Sequence, residues 1–206
     1  MSRGLFIVFE GGDSVGKTTQ VEYLADWLAE TGVDFLQTRQ PGGTKLGEQI
    51  RKLVLEPSYG EVAPWAEALL YAADKAQHVY ELVSPALAAG KLVISDRYVD
   101  STLAYQGAGR AIPVDHIAQL SAWATGGLVP DLTVLLDADP QIAVSKIESK
   151  DRIEQASLEF HRSVRSYFLD LAKTAPDRYL VVNAFDEREN IAAQIRQRVA
   201  TLLRAD

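Results

Sequence analysis

The chain has 206 residues, 47% of them hydrophobic and 24% charged, with a net charge of −7 and no cysteine. That length suits a single domain over residues 1–206 with a substantial core, and the missing cysteine excludes disulfides, a thiolate nucleophile and Cys-based zinc sites. Acidity argues against general nucleic-acid binding, no apolar run reaches the ~20 residues of a membrane helix, and a strand-like run starts too early to leave room for a signal peptide; a cytoplasmic protein that binds neither nucleic acid nor membrane is expected.

The first strand is expected at about 5–10, where Leu5-Phe6-Ile7-Val8-Phe9 is continuous and apolar, as in a parallel strand buried on both faces. Gly11-Gly12-Asp13-Ser14-Val15-Gly16-Lys17-Thr18 follows, a complete G-x-x-x-x-G-K-[ST]. A helix at 16–31 comes next, with Val21, Leu24, Ala25 and Leu28 at helical spacing and Gly32 as its stop. Strand, loop and helix in succession make this a phosphate-binding loop rather than a turn that merely needs glycine. The glycines let backbone N–H groups converge on an anion, and the helix adds its positive dipole end. Lys17 reaches the outer phosphates and the Thr18 hydroxyl ligates Mg²⁺. Residues Gly11 to Thr19 are therefore the expected nucleoside triphosphate contacts, with Mg²⁺ as the accompanying ion.

Further along, a strand at 34–39 runs into Thr38-Arg39-Gln40-Pro41-Gly42-Gly43-Thr44, a tight turn by its Pro and paired Gly. Helices at 45–55 and 64–89 precede a strand at 91–95 that ends in Ser95-Asp96-Arg97-Tyr98. Arg39 and Arg97 thus both lie at strand carboxyl ends, where this architecture places ligands, and two arginines near a phosphate loop suggest a second anion. A structural Arg97–Asp96 ion pair is the plainer alternative. A helix at 113–125, a strand at 131–136, helices at 140–149 and 154–174, a strand at 179–183 and a helix at 187–203 complete the chain. Strands alternating with helices predict a three-layer α/β/α fold on a five-stranded parallel sheet. The polar, charged stretch at about 145–154 is the candidate lid. His78, His116 and His161 are scattered on predicted helices, which makes a metal trio improbable.

Several blocks stand in order from residue 5 to about residue 170: F-E-G-x-D-x-x-G-K-T-T-Q, T-R-x-P-G-G-T, L-L-Y-A-A-D-K-A-Q-H, S-D-R-Y-x-D-S-T-x-A-Y-Q-G and D-R-I-E. In these the chain resembles the thymidylate (dTMP) kinases. The resemblance implies a P-loop nucleoside monophosphate kinase that moves the γ-phosphoryl group of ATP to dTMP, giving dTDP and ADP in dTTP synthesis, and a homodimer of packed helices. It implies that Asp13 contacts the dTMP 3′-hydroxyl and supports the metal site. Arg97 grips the acceptor phosphate with Arg39 beside it, and Asp96 orients Arg97 or a metal-bound water. Tyr71 stacks on thymine, Lys75 hydrogen-bonds the base and Thr102 sits at the base edge. Tyr105 crowds the sugar 2′ carbon, and Gln106 lies near sugar and base. Tyr71 and Lys75, at i and i+4, project from one helix face independently of any resemblance.

Four positions depart from the family pattern. Gln40 stands for glutamate, Tyr71 for phenylalanine, and Lys75 for an arginine whose two-donor fork it lacks. The fourth is the lid, Ser145-Lys146-Ile147-Glu148-Ser149-Lys150-Asp151-Arg152-Ile153-Glu154, which looks short although Ser14 leaves the P-loop without an arginine. The migrating phosphoryl group needs positive charge, which Lys150 and Arg152, with Lys146 nearby, are expected to supply. Glu154 is a metal-shell or lid-anchoring carboxylate. Expected catalytic residues are accordingly Lys17, Arg97, Arg152 and Asp13, and expected metal-site residues Thr18, Asp13 and Asp96. The competing readings are a P-loop kinase for another (deoxy)nucleoside monophosphate and a nucleotide-binding switch without transfer activity.

Overall fold

In the computed structural model, which describes residues 3–110, 112–144 and 151–205, each apolar run becomes a strand. The first half contains β1 (Phe6–Gly11), α1 (Lys17–Glu30), β2 (Phe35–Arg39), α2 (Lys45–Leu55), α3 (Pro64–His78), α4 (Ser84–Ala88), β3 (Leu92–Asp96) and α5 (Val99–Thr102). The second contains α6 (Val114–Thr125), β4 (Leu132–Asp137), α7 (Pro140–Val144), α8 (Leu158–Thr174), β5 (Tyr179–Asn183) and α9 (Arg188–Ala205). All five strands are parallel, in the order β2-β3-β1-β4-β5. The chain moves out to β2, returns to β3 and then crosses β1 to β4. The carboxyl end of β1 is therefore where the connections diverge, and ligands bind at such a switch point.

β1 is buried on both faces and feeds two cores. Ile7 and Phe9 pack with Leu24 and Leu28 of α1 and Ile191, Ile195 and Val199 of α9. Phe6 and Val8 face the opposite way, onto Val79, Val83 and Tyr98, while Leu135 and Tyr179 on that side carry Phe160, Val164 and Phe168 of α8. Burying each such side chain stabilises by roughly 1.5–3 kcal/mol, so the sheet is held from both layers. No helix among the described residues is long and apolar enough to cross a membrane.

Three elements differ from the sequence expectation. The helix expected at 64–89 is interrupted by a π-helical turn, Val79–Val83, just before Pro85. Proline has no N–H for the carbonyl one turn back, and a widened turn absorbs the mismatch. The stretch after Tyr98, where the sequence reading places no element, is helical: α5 continues into a π-helical segment, Leu103–Gly109. Finally, α8 starts at Leu158 rather than 154, because Ser157 accepts from the Phe160 N–H at 3.2 Å and caps it. Residues 151–154 form a separate turn, with the Ile153 and Glu154 N–H groups donating to Asp151 at 2.8 Å each. The helix expected at 140–149 is seen as α7 to Val144, and the rest of it, with most of the candidate lid, lies outside the described residues.

Candidate active site

The loop between β1 and α1 closes tightly on the neighbouring strand. Gly11 has φ +134°, and a Cβ there would stand 2.4 Å from the Leu136 carbonyl oxygen, so only glycine fits. Gly16 caps α1 from the left-handed region with no side-chain capping bond, leaving first-turn N–H groups for an anion. Lys17 is buried, and its Nζ lies back on the loop, donating to the Gly12 carbonyl and to that of Gly11 at 3.3 Å. Burial, and then the Arg97 guanidinium, bring its ammonium down to about 8 against the pull of Asp96 and Asp13. Val15 is buried beneath the loop; Ser14 lines the cavity above it, whereas Thr19, half-buried in the first turn of α1, does not.

Two cavities meet beside this loop. An outer, open one runs over Lys17 and Thr18 toward Arg39, and a smaller inner one reaches Tyr71 and Gln106. Asp13, Gln40, Arg51 and Arg97 line both. Arg97 has φ +69°, which strains a residue with a side chain. The strain aims its guanidinium at the junction. Nη1 donates to the Gly11 carbonyl at 2.9 Å and Ser101 Oγ at 3.0 Å, and Nη2 to Asp13 at 2.5 Å. Asp13 also accepts from the Tyr105 hydroxyl at 2.9 Å. Burial pushes the Asp13 carboxyl up, but Arg97 and Lys17 outweigh it and hold the group below the usual carboxylate range.

The support for Arg97 comes from β1. Tyr98 sits at the N-cap of α5 and provides no capping side chain. Glu10, fully buried, does so instead: Oε1 accepts from the N–H groups of Tyr98 at 2.8 Å and Ser101 at 3.2 Å, and Oε2 from the Ser101 hydroxyl at 2.5 Å. One carboxylate thus satisfies two orphan donors of the helix and fixes the hydroxyl that receives Arg97. Burial, with Asp100 nearby, pushes the Glu10 carboxyl up to about 7.

The inner cavity carries polar groups with open valences. Lys75 is buried, its Nζ is 5.5 Å from the Tyr71 ring centre, and no described residue accepts a hydrogen bond from it. Burial brings its ammonium down to about 8, against Asp74 and Glu10. Thr102 and Gln106 are both 2% exposed and line the same cavity, as do Tyr105 and Glu154. Gln40 is buried with both amide atoms unpartnered. Arg51 of α2 donates to the Pro41 carbonyl at 3.0 Å and reaches into both cavities.

Some expected residues stand elsewhere. Arg39 is half-exposed, lines the outer cavity alone and pairs with Glu48 at 3.1 Å. Arg152 faces neither cavity: its Nε and Nη2 donate to the Val54 carbonyl at 2.9 and 2.8 Å, and Nη2 also pairs with buried Glu67. The residue expected as the lid cation thus has its donors on Val54 and Glu67 in this structure. Lys146 and Lys150 lie outside the described residues. Glu154 closes a turn, its Oε2 accepting from the Asp151 N–H at 2.9 Å. Asp96 makes no ion pair with Arg97. Its Oδ2 receives the Thr18 hydroxyl at 3.5 Å and its Oδ1 is buried without a partner. Glu10, Arg51, Glu67 and Ser101 escaped the sequence reading. For Arg51 the available signal was a charge on α2 just after the T-R-Q-P-G-G-T turn.

Comparison with known proteins agrees with this geometry. The family model described as thymidylate kinase matches residues 9–195. A thymidylate kinase from Cutibacterium acnes is 58% identical over 200 residues, 97% of this chain and 98% of that protein. One from Clavibacter sepedonicus is 51% identical over 206 residues, covering 98% and 97% respectively. The crystal structure of thymidylate kinase from Ehrlichia chaffeensis superposes with a TM-score of 0.81 at 33% identity, over 96% of this chain and 99% of that one.

Proposed function

The chain belongs to the thymidylate kinase family, and from that premise we infer that it is an ATP:dTMP phosphotransferase, converting ATP and dTMP to ADP and dTDP. The observation that carries the assignment of parts is the meeting of two cavities at Asp13, Gln40, Arg51 and Arg97. The outer cavity, with the P-loop amides, Lys17 and Thr18, takes the donor phosphates. The inner one takes the deoxynucleoside, its phosphate toward Arg97 and Arg51 and its base toward Tyr71, Lys75, Thr102 and Gln106. Tyr105, tied to Asp13, stands beside the sugar. Neither a nucleophilic side chain nor a covalent intermediate is needed; holding two phosphates in line and neutralising their charge suffices.

Magnesium fits the oxygen groups at the edge of the outer cavity. The orphaned Asp96 Oδ1 and the Thr18 hydroxyl offer hard oxygen ligands beside the outer cavity, and Mg²⁺ binds through one or two such groups plus phosphates and water. Held by these residues, it would supply positive charge to the donor phosphates. Arg97 meanwhile holds the acceptor phosphate, Lys17 turns from the loop carbonyls to the donor, and Asp13 keeps Arg97 aimed. We assign the protein to the cytoplasm on the strength of its substrates, and infer a homodimer from Trp65, Leu69 and Trp123, exposed apolar side chains on α3 and α6.

The test is ADP release with Mg·ATP against dTMP, dUMP, dCMP and dGMP. Rapid turnover with dTMP and weaker turnover with dUMP is expected. Nucleotide binding with no acceptor-dependent release would instead indicate a switch, although a switch has no use for the second cavity.

A further inference from the structure

The geometry points to Glu67 as a positioning residue that sets which pyrimidine the inner cavity accepts, by fixing the orientation of the Gln106 amide; this rests on the proposed function and deepens it. Glu67 is 1% exposed, on α3. It accepts from Gln106 Nε2 at 2.8 Å and Arg110 Nε at 3.4 Å, and pairs with Arg152. Flanked by two guanidiniums, its carboxylate offers acceptors only, so the amide must turn its NH₂ toward it. Gln106 Oε1 is then the atom left for the cavity, and no described residue donates to it.

Two functional groups therefore meet a ligand base with fixed sense: an acceptor, Gln106 Oε1, and a donor, the Lys75 ammonium. Thymine and uracil carry a ring N3–H donor beside a carbonyl acceptor at C4, which complements that pair. Cytosine carries an acceptor at N3 and an amino donor at C4, which opposes both. A site built around buried polar groups rejects a mismatched partner strongly, because those groups are left unpaired. Arg152 acquires a purpose here as well: its guanidinium pairs with buried Glu67 and ties it to the Val54 carbonyl.

The experiment compares kcat/KM for dTMP and dCMP in the wild type, Glu67→Gln and Gln106→Leu. Residue 67 as glutamine presents either an acceptor or a donor, so Gln106 is free to turn over. The dTMP:dCMP ratio is expected to fall about ten-fold in Glu67→Gln, without reaching unity because Lys75 still opposes the cytosine amino group. Gln106→Leu should lower the ratio similarly. If Glu67→Gln lowers both rates alike and keeps the ratio, Glu67 is merely structural and the inference is overturned; a wild-type ratio in Gln106→Leu overturns it too. Should Glu67→Gln fail to fold with Arg152 left unpaired, Glu67→Gln combined with Arg152→Met decides on the same ratio. Wild-type protein without dTMP turnover removes the proposed function and this inference together, whereas a variant ratio that stays at the wild-type value removes only the inference.

Discussion

Lys75, which lines the inner cavity, and Arg152, which faces neither cavity, lead to opposite kinds of prediction. Burial holds the Lys75 ammonium below its ordinary range, near 8. It is charged below that pH and loses its proton as pH rises through it, so KM for dTMP should climb above about pH 8. Lys75→Arg, charged at every accessible pH, should remove that alkaline rise from the dTMP dependence while leaving the ATP dependence, governed by Lys17, as it was. Steady-state profiles from pH 6 to 10 decide it, and a rise that persists in the arginine variant acquits Lys75. Arg152→Ala, by contrast, acts on the fold. It strips Glu67 of its closer guanidinium, and breaking such a buried pair costs ~3 kcal/mol. A lowered urea midpoint with raised KM for dTMP is expected; a loss confined to kcat at undiminished stability would return Arg152 to the phosphate.

At the scale of elements, α5 depends on a residue far away in sequence. Glu10→Ala removes the acceptor for the Tyr98 and Ser101 N–H groups, at a cost of about 2 kcal/mol. Because Ser101 then loses its anchor, kcat/KM for dTMP should fall at least ~10-fold. Thermal melts and kinetics on the one variant separate the two effects: destabilisation with intact kcat/KM would confine Glu10 to the fold. The same example marks what the sequence made legible. All five strands and the P-loop could be read because their signals are local: apolar runs of strand length, glycines at fixed offsets and a following helical stripe. Glu10 and Glu67 could not, since their partners lie 39 to 91 residues away and an isolated glutamate carries no period. The sequence reading places no element at 99–109, where α5 and its π-helical continuation stand. Nor could the contacts of Arg152 be read, because a charge in a polar stretch says nothing of the carbonyl it will meet.

For the whole molecule, α3 and α6 leave Trp123 82%, Leu69 55% and Trp65 46% exposed, although the Trp65 ring lies 6.0 Å from that of His116. Such a surface is expected to be covered by a second copy. Sedimentation should give about twice the 22.6 kDa of one chain, reduced to a single mass by Leu69→Lys with Trp123→Lys; an unchanged mass in that variant puts the interface elsewhere. A last consequence follows from Arg97, whose Nη1 rests on the carbonyl of Gly11, the first residue of the P-loop, while Glu10 beside it braces α5. On the proposed assignment, the grip on one substrate is hydrogen-bonded to the cradle of the other. Linkage then makes the effect mutual: whatever factor dTMP lends to ATP affinity, ATP lends back to dTMP. An inhibitor confined to the inner cavity that pulls Arg97 off Gly11 would weaken nucleotide triphosphate binding without competing for its place.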